Sequence, residues 1–314
     1  MINEKINIGG LKNKLSFYIY RKENYMNKEL YWIWLSRIKG LGSIKAQKLL
    51  EKFKAPERIW NCTKQELLQV EQIGEETVNE ILKEEYRKDL LKYKNYMDQN
   101  QIKVISIYDK NYPEKLKNIY DKPIVLYVKG DEKILNDFSL AIVGCRENTK
   151  YGEIVTKQIA SELATKGIIT VSGLARGIDS ISQQETVKQK GKTIAVLGNS
   201  LDTIYPTENK KLAEQIIANG GAIVSEYVIG SKIEKMNFPA RNRIISGLSD
   251  GIIVVEAKKK SGTMITVDFA LEQGKSVFAI PGNITIKNSE GTNELIKQGA
   301  KMVTRIEDIL EEYR

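Results

Sequence analysis

From Phe138 onward the chain alternates short apolar runs with longer amphipathic stretches. The runs Leu140–Val143, Ile168–Val171, Thr193–Leu197, Ala222–Ser225, Gly251–Val255 and Ser276–Ile280 read as strands, with Lys301–Val303 as a further candidate. Between them, Tyr151–Lys166, Asp179–Lys190, Glu208–Asn219, Asn237–Ser246, Thr263–Gln273 and Glu290–Lys297 carry helical spacing. Strands that are apolar throughout, rather than alternating, are buried on both faces. Separated by helices of this length, they predict an α/β fold with a mainly parallel sheet covered on both sides.

The pattern changes upstream. Residues 1–24 show no clear period, whereas Glu29 to about Tyr96 is lysine-rich and helical, with Leu30, Ile33, Trp34 and Ile38 at helical spacing. Pro56, Asn61-Cys-Thr63 and Ile73-Gly74 interrupt it. Two segments there have the form of helix-hairpin-helix motifs: Ile38-Lys-Gly-Leu-Gly42 before Ala46, Leu49 and Leu50, and Val70-Glu-Gln-Ile-Gly74 before Val78, Ile81 and Leu82. A glycine hairpin of this kind can hold a phosphate on its N–H groups or serve only to pack helices. Glu71, Glu75 and Glu76 make the second copy repellent to phosphate. Ile102 to Val128 then reads as a bridge whose two apolar runs join the sheet edge. The expected organisation is an extension (1–24), a helical module (25–100) and an α/β domain (101–314), whose first part, 101–136, is the bridge.

Composition narrows the choice of partner. The 314 residues are 41 % hydrophobic and 28 % charged, with a net charge of +9, compatible with nucleic acid, anionic membrane surfaces or acidic substrates. No window approaches the roughly 20 apolar residues of a membrane span, and the N-terminus is too polar for a signal peptide. Cys62 and Cys145 lack CxxC spacing, which fits a reducing cytoplasm. Histidine is absent, which excludes histidine triads and histidine-ligated metals. The chain also lacks the GxGxxG and Walker spacings, so no cofactor is expected.

Candidate chemistry sits where strands end. Ser172-Gly-Leu-Ala-Arg-Gly-Ile-Asp179 follows an apolar run and opens a helix, so its N–H groups face the C-terminal edge of the sheet, where anions bind. Ser172 and Gly173 offer a hydroxyl and a close backbone, Arg176-Gly177 a phosphate fork, and Asp179 is expected to orient Arg176 or cap the helix. Gly144 and Arg146 end the first strand in the same way. In Asn237-Phe-Pro-Ala-Arg-Asn-Arg243, Asn237 and Arg241 share a helix face; Arg241, Asn242 and Arg243 fan over neighbouring directions, so at least one should reach solvent or ligand, while the other is suited to hold Glu226 or Asp250. Phe238 is expected to pack beneath the segment or stack on a base, packing being favoured. Lys258, Ser261, Gly262, Thr263 and Thr266 supply a cation, hydroxyls and a further helix start. Pro281-Gly282 and Gly291-Thr-Asn293 complete the same crest. Asp179, Asp202, Glu226 and Glu256 lie near strand ends, but each has neighbours that account for it, so binding is favoured over turnover.

These loops resemble the DNA-processing protein A family, also called Smf, of bacterial natural transformation. The carrying motifs are Ile142-Val-Gly-Cys-Arg146, Val171-Ser-Gly-Leu-Ala-Arg-Gly-Ile-Asp179, Tyr205-Pro206, Ser225-Glu-Tyr227 and Asn237-Phe-Pro-Ala-Arg-Asn-Arg243. Val255-Glu256, Ser261-Gly-Thr-Met-Ile-Thr266, Ala279-Ile-Pro-Gly282 and Gly291-Thr-Asn-Glu-Leu-Ile296 follow. The resemblance implies an extended Rossmann-like domain behind a SAM-like helical module. It further implies a homodimer that binds and protects single-stranded DNA and helps load the RecA recombinase. The family's DNA pocket maps onto Gly144, Arg146, Ser172, Gly173, Arg176, Gly177, Asn237, Arg241, Arg243, Ser261, Gly262 and Thr263.

Two departures stand out. Ser182-Gln183 replaces a usual histidine position, and Gly198-Asn-Ser200 replaces a usual Gly-Cys-Gly. The chain stops at Arg314 without the winged-helix module of many members, so DNA binding is expected to rest on the Rossmann-like domain. The alternative is an enzyme that processes nucleotides or nucleoside phosphates with the same crest; a third reading is a protein-binding adaptor acting through the helical module.

Overall fold

The computed structural model describes residues 27–314, so the expected N-terminal extension lies outside the described residues. The chain divides into two compact units, a helical one running to Lys94 and a larger one made of Asn95–Arg314 together with the short stretch Gly42–Ile44.

In the helical unit, α1 (Lys28–Arg37), α2 (Gly42–Phe53), α3 (Pro56–Trp60), α4 (Lys64–Leu68) and α5 (Glu75–Ile81) precede α6 (Leu90–Gln99), which crosses the unit boundary. The apolar positions picked out by helical spacing, Leu30, Ile33, Trp34 and Ile38, are all buried. Trp60 closes edge-on against Trp34 at 5.0 Å, and the Arg87 guanidinium covers the Trp60 ring at 4.5 Å. The first hairpin turns through Gly40 and Gly42, both at positive φ. Thr63 and Glu66 form a reciprocal capping box that starts α4.

The larger unit is built on nine strands: β1 (Ile102–Ser106), β2 (Val125–Gly130), β3 (Ser139–Val143), β4 (Ile169–Ser172), β5 (Thr193–Val196), β6 (Ala222–Ser225), β7 (Gly251–Val254), β8 (Ser276–Ala279) and β9 (Lys301–Met302). Their order is β1-β2-β6-β5-β4-β3-β7-β8-β9. From β6 to β9 every pair is parallel, while β1 and β2 add antiparallel to the edge at β6.

The helices of this unit are α7 (Glu114–Lys117), α8 (Lys150–Thr165), α9 (Ile178–Lys188), α10 (Lys210–Ala218), α11 (Asn237–Leu248), α12 (Gly262–Glu272), α13 (Glu290–Lys297) and α14 (Glu307–Leu310). The pleat sorts the core into two layers. Ala141 and Val143 of β3 face one core with Ile244, Leu248, Val267 and Leu295. Leu140 and Ile142 face the other with Ile159, Leu163, Ile178 and Ile309. The sheet is thus buried on both sides, which explains why its strands are continuously apolar. Helix α10 begins two residues later than its periodicity suggests, because Thr207–Asn209 after Pro206 form a 3₁₀ turn.

Strand order also fixes where a ligand can enter. The chain runs outward from β3 through β4, β5 and β6, then returns to β7 on the other flank of β3. The connections leaving β3 and β7 therefore diverge and open a crevice at their C-terminal ends, the switch point at which open α/β sheets bind ligands.

Candidate functional site

A cavity of about 370 Å³ occupies that crevice. Its walls are the β3–α8 loop (Gly144, Arg146), the loop into α9 and its first turn (Ala175, Asp179), α11 (Phe238, Arg241, Asn242) and the approach to and start of α12 (Lys258, Ser261 to Thr263, Thr266). A second, smaller cavity adjoins it, sharing Arg146, Ala175, Phe238 and Arg241 and adding Gly173, Arg176, Tyr205 and Pro206.

The loops are laced together by backbone bonds. Cys145 N–H donates to the Glu256 carbonyl at 2.9 Å, Ile178 N–H donates to the Cys145 carbonyl at 3.2 Å, and Ala257 N–H donates to Asn288 at 2.7 Å. Gly177 sits at φ +77°, and a Cβ there would lie 2.3 Å from the Cys145 carbonyl oxygen, so only glycine lets these two loops touch. The buried Glu256 carboxylate accepts from Thr149 N–H at 2.9 Å and from its hydroxyl, which fixes the start of α8 behind Arg146. Glu256 is thereby committed to the scaffold.

Two arginines give the cavity its charge. Arg241 is only 4 % exposed and donates to the Gly173 carbonyl at 2.8 Å, to the Val196 carbonyl, and through Nε to Asn242 at 3.2 Å. Burial pushes its pKa down to about 10; Asp179 works against that and the neighbouring Arg146 adds to it. The Asp179 carboxyl is pushed up by burial, with Arg241 and the Gly173 and Ala175 N–H groups pulling it back. Gly173 makes room for the pair, since a Cβ on it would lie 2.6 Å from an Arg241 nitrogen and 2.7 Å from an Asp179 oxygen. Arg146 is exposed and, among the described residues, has no ion-pair or side-chain hydrogen-bond partner. Two guanidiniums thus repel across a cavity that an anion would relieve.

The α12 start adds donors. Ser261 is its N-cap but makes no capping bond, and its Oγ is buried with no hydrogen-bond partner. Thr263 and Thr266, both buried, line the same wall. A helix N-terminus whose cap is unspent favours an anionic oxygen.

This geometry finds its counterpart in known proteins. Residues 103–314 match the model of the DNA recombination-mediator protein A family. The chain belongs to that family. The DNA processing protein DprA of Bacillus subtilis is 47 % identical over 212 residues, 67 % of this chain and 71 % of the relative. Among solved structures, DNA processing protein A from Streptococcus pneumoniae superposes with a TM-score of 0.78 at 35 % identity, covering 90 % of this chain and 97 % of that one. DNA processing protein A from Helicobacter pylori, solved for its single-stranded DNA binding mode, gives 0.61 at 35 % identity, covering 68 % and 97 %.

Against the residues singled out from sequence, the structure gathers Gly144, Arg146, Arg241, Lys258, Ser261, Gly262, Thr263 and Thr266 in the larger cavity, and Gly173 and Arg176 in the smaller. Three others serve the frame. Ser172 is fully buried, its hydroxyl donating to the Ile142 carbonyl at 2.8 Å. Gly177 shapes the turn described above. Arg243 is 4 % exposed and grips both Glu226 oxygens at 2.6 Å, with Asp121 at 3.0 Å. Burial opposes the Arg243 charge, but these carboxylates outweigh it and its pKa is raised. Asn237 opens α11, half-buried, and lines neither cavity.

Asp179 also differs from expectation. It serves Arg241 and the Gly173 N–H, whereas the carboxylate paired with Arg176 is Glu208. Phe238 packs on Gly198 yet lines both cavities. Gln183 is fully buried and donates to the Ile194 carbonyl at 3.1 Å. Sequence reasoning missed Asn242, Ala175 and Tyr205 as lining residues; Tyr205-Pro206 was visible as a motif, but its place beside Arg176 depends on the fold. Among the described residues no cluster of His, Cys, Asp or Glu could hold a metal, and no helix is long and apolar enough to cross a membrane.

Proposed function

We propose that this chain binds single-stranded DNA through the crest cavities, with phosphates on Arg146, Arg241 and the α12 start, and Arg176 and Lys258 adding positive charge. The observation that carries this reading is the pair of close guanidiniums, Arg146 without a partner among the described residues and Arg241 buried behind it, facing an unspent helix N-terminus. Family membership supports it, as does the binding mode for which the Helicobacter pylori relative was solved. In the cell the protein covers exposed single strands as a homodimer and hands them to the RecA recombinase. Phosphate contacts of this kind are sequence-tolerant and release counterions on binding. With about three phosphates neutralised per subunit, log affinity falls against log salt with a slope near −2. Fluorescence anisotropy of a labelled poly-dT oligonucleotide, competed with duplex over a salt series, tests this. Preference for the single strand with that slope supports the reading; equal affinity for duplex, or no salt dependence, contradicts it.

A further inference from the structure

A separate cavity of about 350 Å³ lies wholly within the larger unit and shares no lining residue with the two crest cavities. It is of a size that takes a small molecule, and it lies between α10 and the outer strands β1, β2 and β6. Lys210, Ala213, Glu214 and Ile217 share one face of α10 and form one wall, so the groove follows that helix for about 10 Å. Ile102, Leu201 and Ile223, all buried, give it an aliphatic floor.

Lys129 is out of keeping with this setting. It lies on β2, opposite Ile102 of β1 and Ile223 of β6, and all three residues line the cavity. A lysine on an edge strand guards against unwanted pairing, but β2 is paired on both sides. Lys129 is half-buried, and its ammonium has no hydrogen-bond or ion-pair partner among the described residues. The next two carboxylates along the chain are spent elsewhere: Asp131 meets Lys192 at 3.6 Å, and Glu132 pairs with Lys103. The lysine stem can lie along the two isoleucines with its ammonium at the cavity wall. A cation drawn out of water without a counter-charge is costly, and an anionic ligand would remove that cost. The other charges of the lining are exposed and screened by water: Lys210 and Glu214 stand one helical turn apart, and Asp202 accepts from the Gly230 N–H at 3.2 Å.

We propose that this cavity binds a short aliphatic carboxylate, with its head group on Lys129 and its chain along the isoleucine floor. Tyr96 is the one aromatic among the lining residues, so an alkyl body matches the walls better than a stacked ring. The site is independent of the DNA-binding reading and goes beyond it.

Ligand-observed NMR titration of the full chain with hexanoate, hexan-1-ol and hexylamine tests this on wild type, Lys129→Met and Lys129→Arg. Hexanoate is expected to bind wild type with a Kd of about 1–5 mM, in keeping with its few atoms. It should bind about tenfold more tightly than the alcohol or the amine, from the charge-assisted contact. Lys129→Met keeps the length of the side chain without its charge and should abolish that preference, whereas Lys129→Arg should keep it within about threefold. Lys129→Met should also unfold no more readily than wild type, since a cation without a counter-charge adds no stability. Absence of hexanoate binding, equal binding of the three probes, or an unchanged preference in Lys129→Met overturns the proposal. A Lys129→Met protein that unfolds more readily makes the lysine a structural residue and overturns it too. None of these outcomes bears on DNA binding at the crest.

Discussion

In the helical unit, the lysines that follow the first hairpin are engaged by neighbours: Lys48 with Glu71 at 2.9 Å, Lys45 with Thr77 at 2.8 Å and Lys52 with Gln69 at 3.3 Å. Lys64, at the start of α4, meets Glu75 at 3.4 Å. At the crest of the sheet the balance is reversed. Arg146 has no such partner among the described residues, and its effect on Arg241 is repulsive. Both regions are basic by composition, but at the crest two guanidiniums stand close together, whereas Lys48 and Lys64 of the helical unit each meet a carboxylate. The net charge of +9 therefore says little about where an anion binds. What matters is whether a cation's own fold has already supplied its counter-charge, as Glu71 of the second hairpin does for Lys48.

The same contrast recurs inside α11, and the largest expected effect lies there. Arg243 is a compensated cation, so Arg243→Ala should leave the half-buried Glu226 without its partner and lower unfolding free energy by about 3 kcal/mol. Denaturant titration measures this, and poly-dT affinity below the unfolding transition should be unchanged. A stable Arg243→Ala protein that has lost DNA would mean the side chain leaves Glu226 to meet phosphate. Next is Glu208, which occupies Arg176 in the free protein. Glu208→Gln should free that guanidinium and tighten oligonucleotide binding by about two- to fivefold at low salt, an exposed pair being weak; weaker binding by anisotropy would show that Glu208 positions Arg176 productively instead. The smallest effect is expected from Lys48→Ala, less than about twofold on affinity, because Glu71 already answers that charge. A loss as large as that from removing a crest arginine would break the comparison.

Much of this was legible in the chain. The strands from β3 to β8 appear within a residue or two of their apolar runs, since a sheet covered on both faces leaves no polar alternation to confuse the reading. Glycine-bearing strand ends point to the crest, and a cavity lies there. The separation of Arg241 from Arg243 was partly legible as well: two residues apart on a helix places side chains roughly 200° apart, so both could not face one cavity. Which of them turned inward depended on Glu226 and Asp121, brought in from other elements. Ser172 was misplaced because the last residue of a buried strand can turn its hydroxyl into the sheet, toward Ile142. The pairings Arg176–Glu208 and Arg241–Asp179, and the meeting of Tyr205 with Phe238, join segments far apart in sequence and wait on strand order.

The central claim is that Arg146 is an uncompensated cation kept for phosphate. Salt titrations of poly-dT binding by wild type and Arg146→Ala, side by side with their unfolding curves, test it most directly. The account predicts unchanged stability, affinity lower by about tenfold near 0.1 M salt, and a log–log slope shallower by about 0.7, one phosphate contact's worth. Identical slopes and affinities for the two proteins would contradict it.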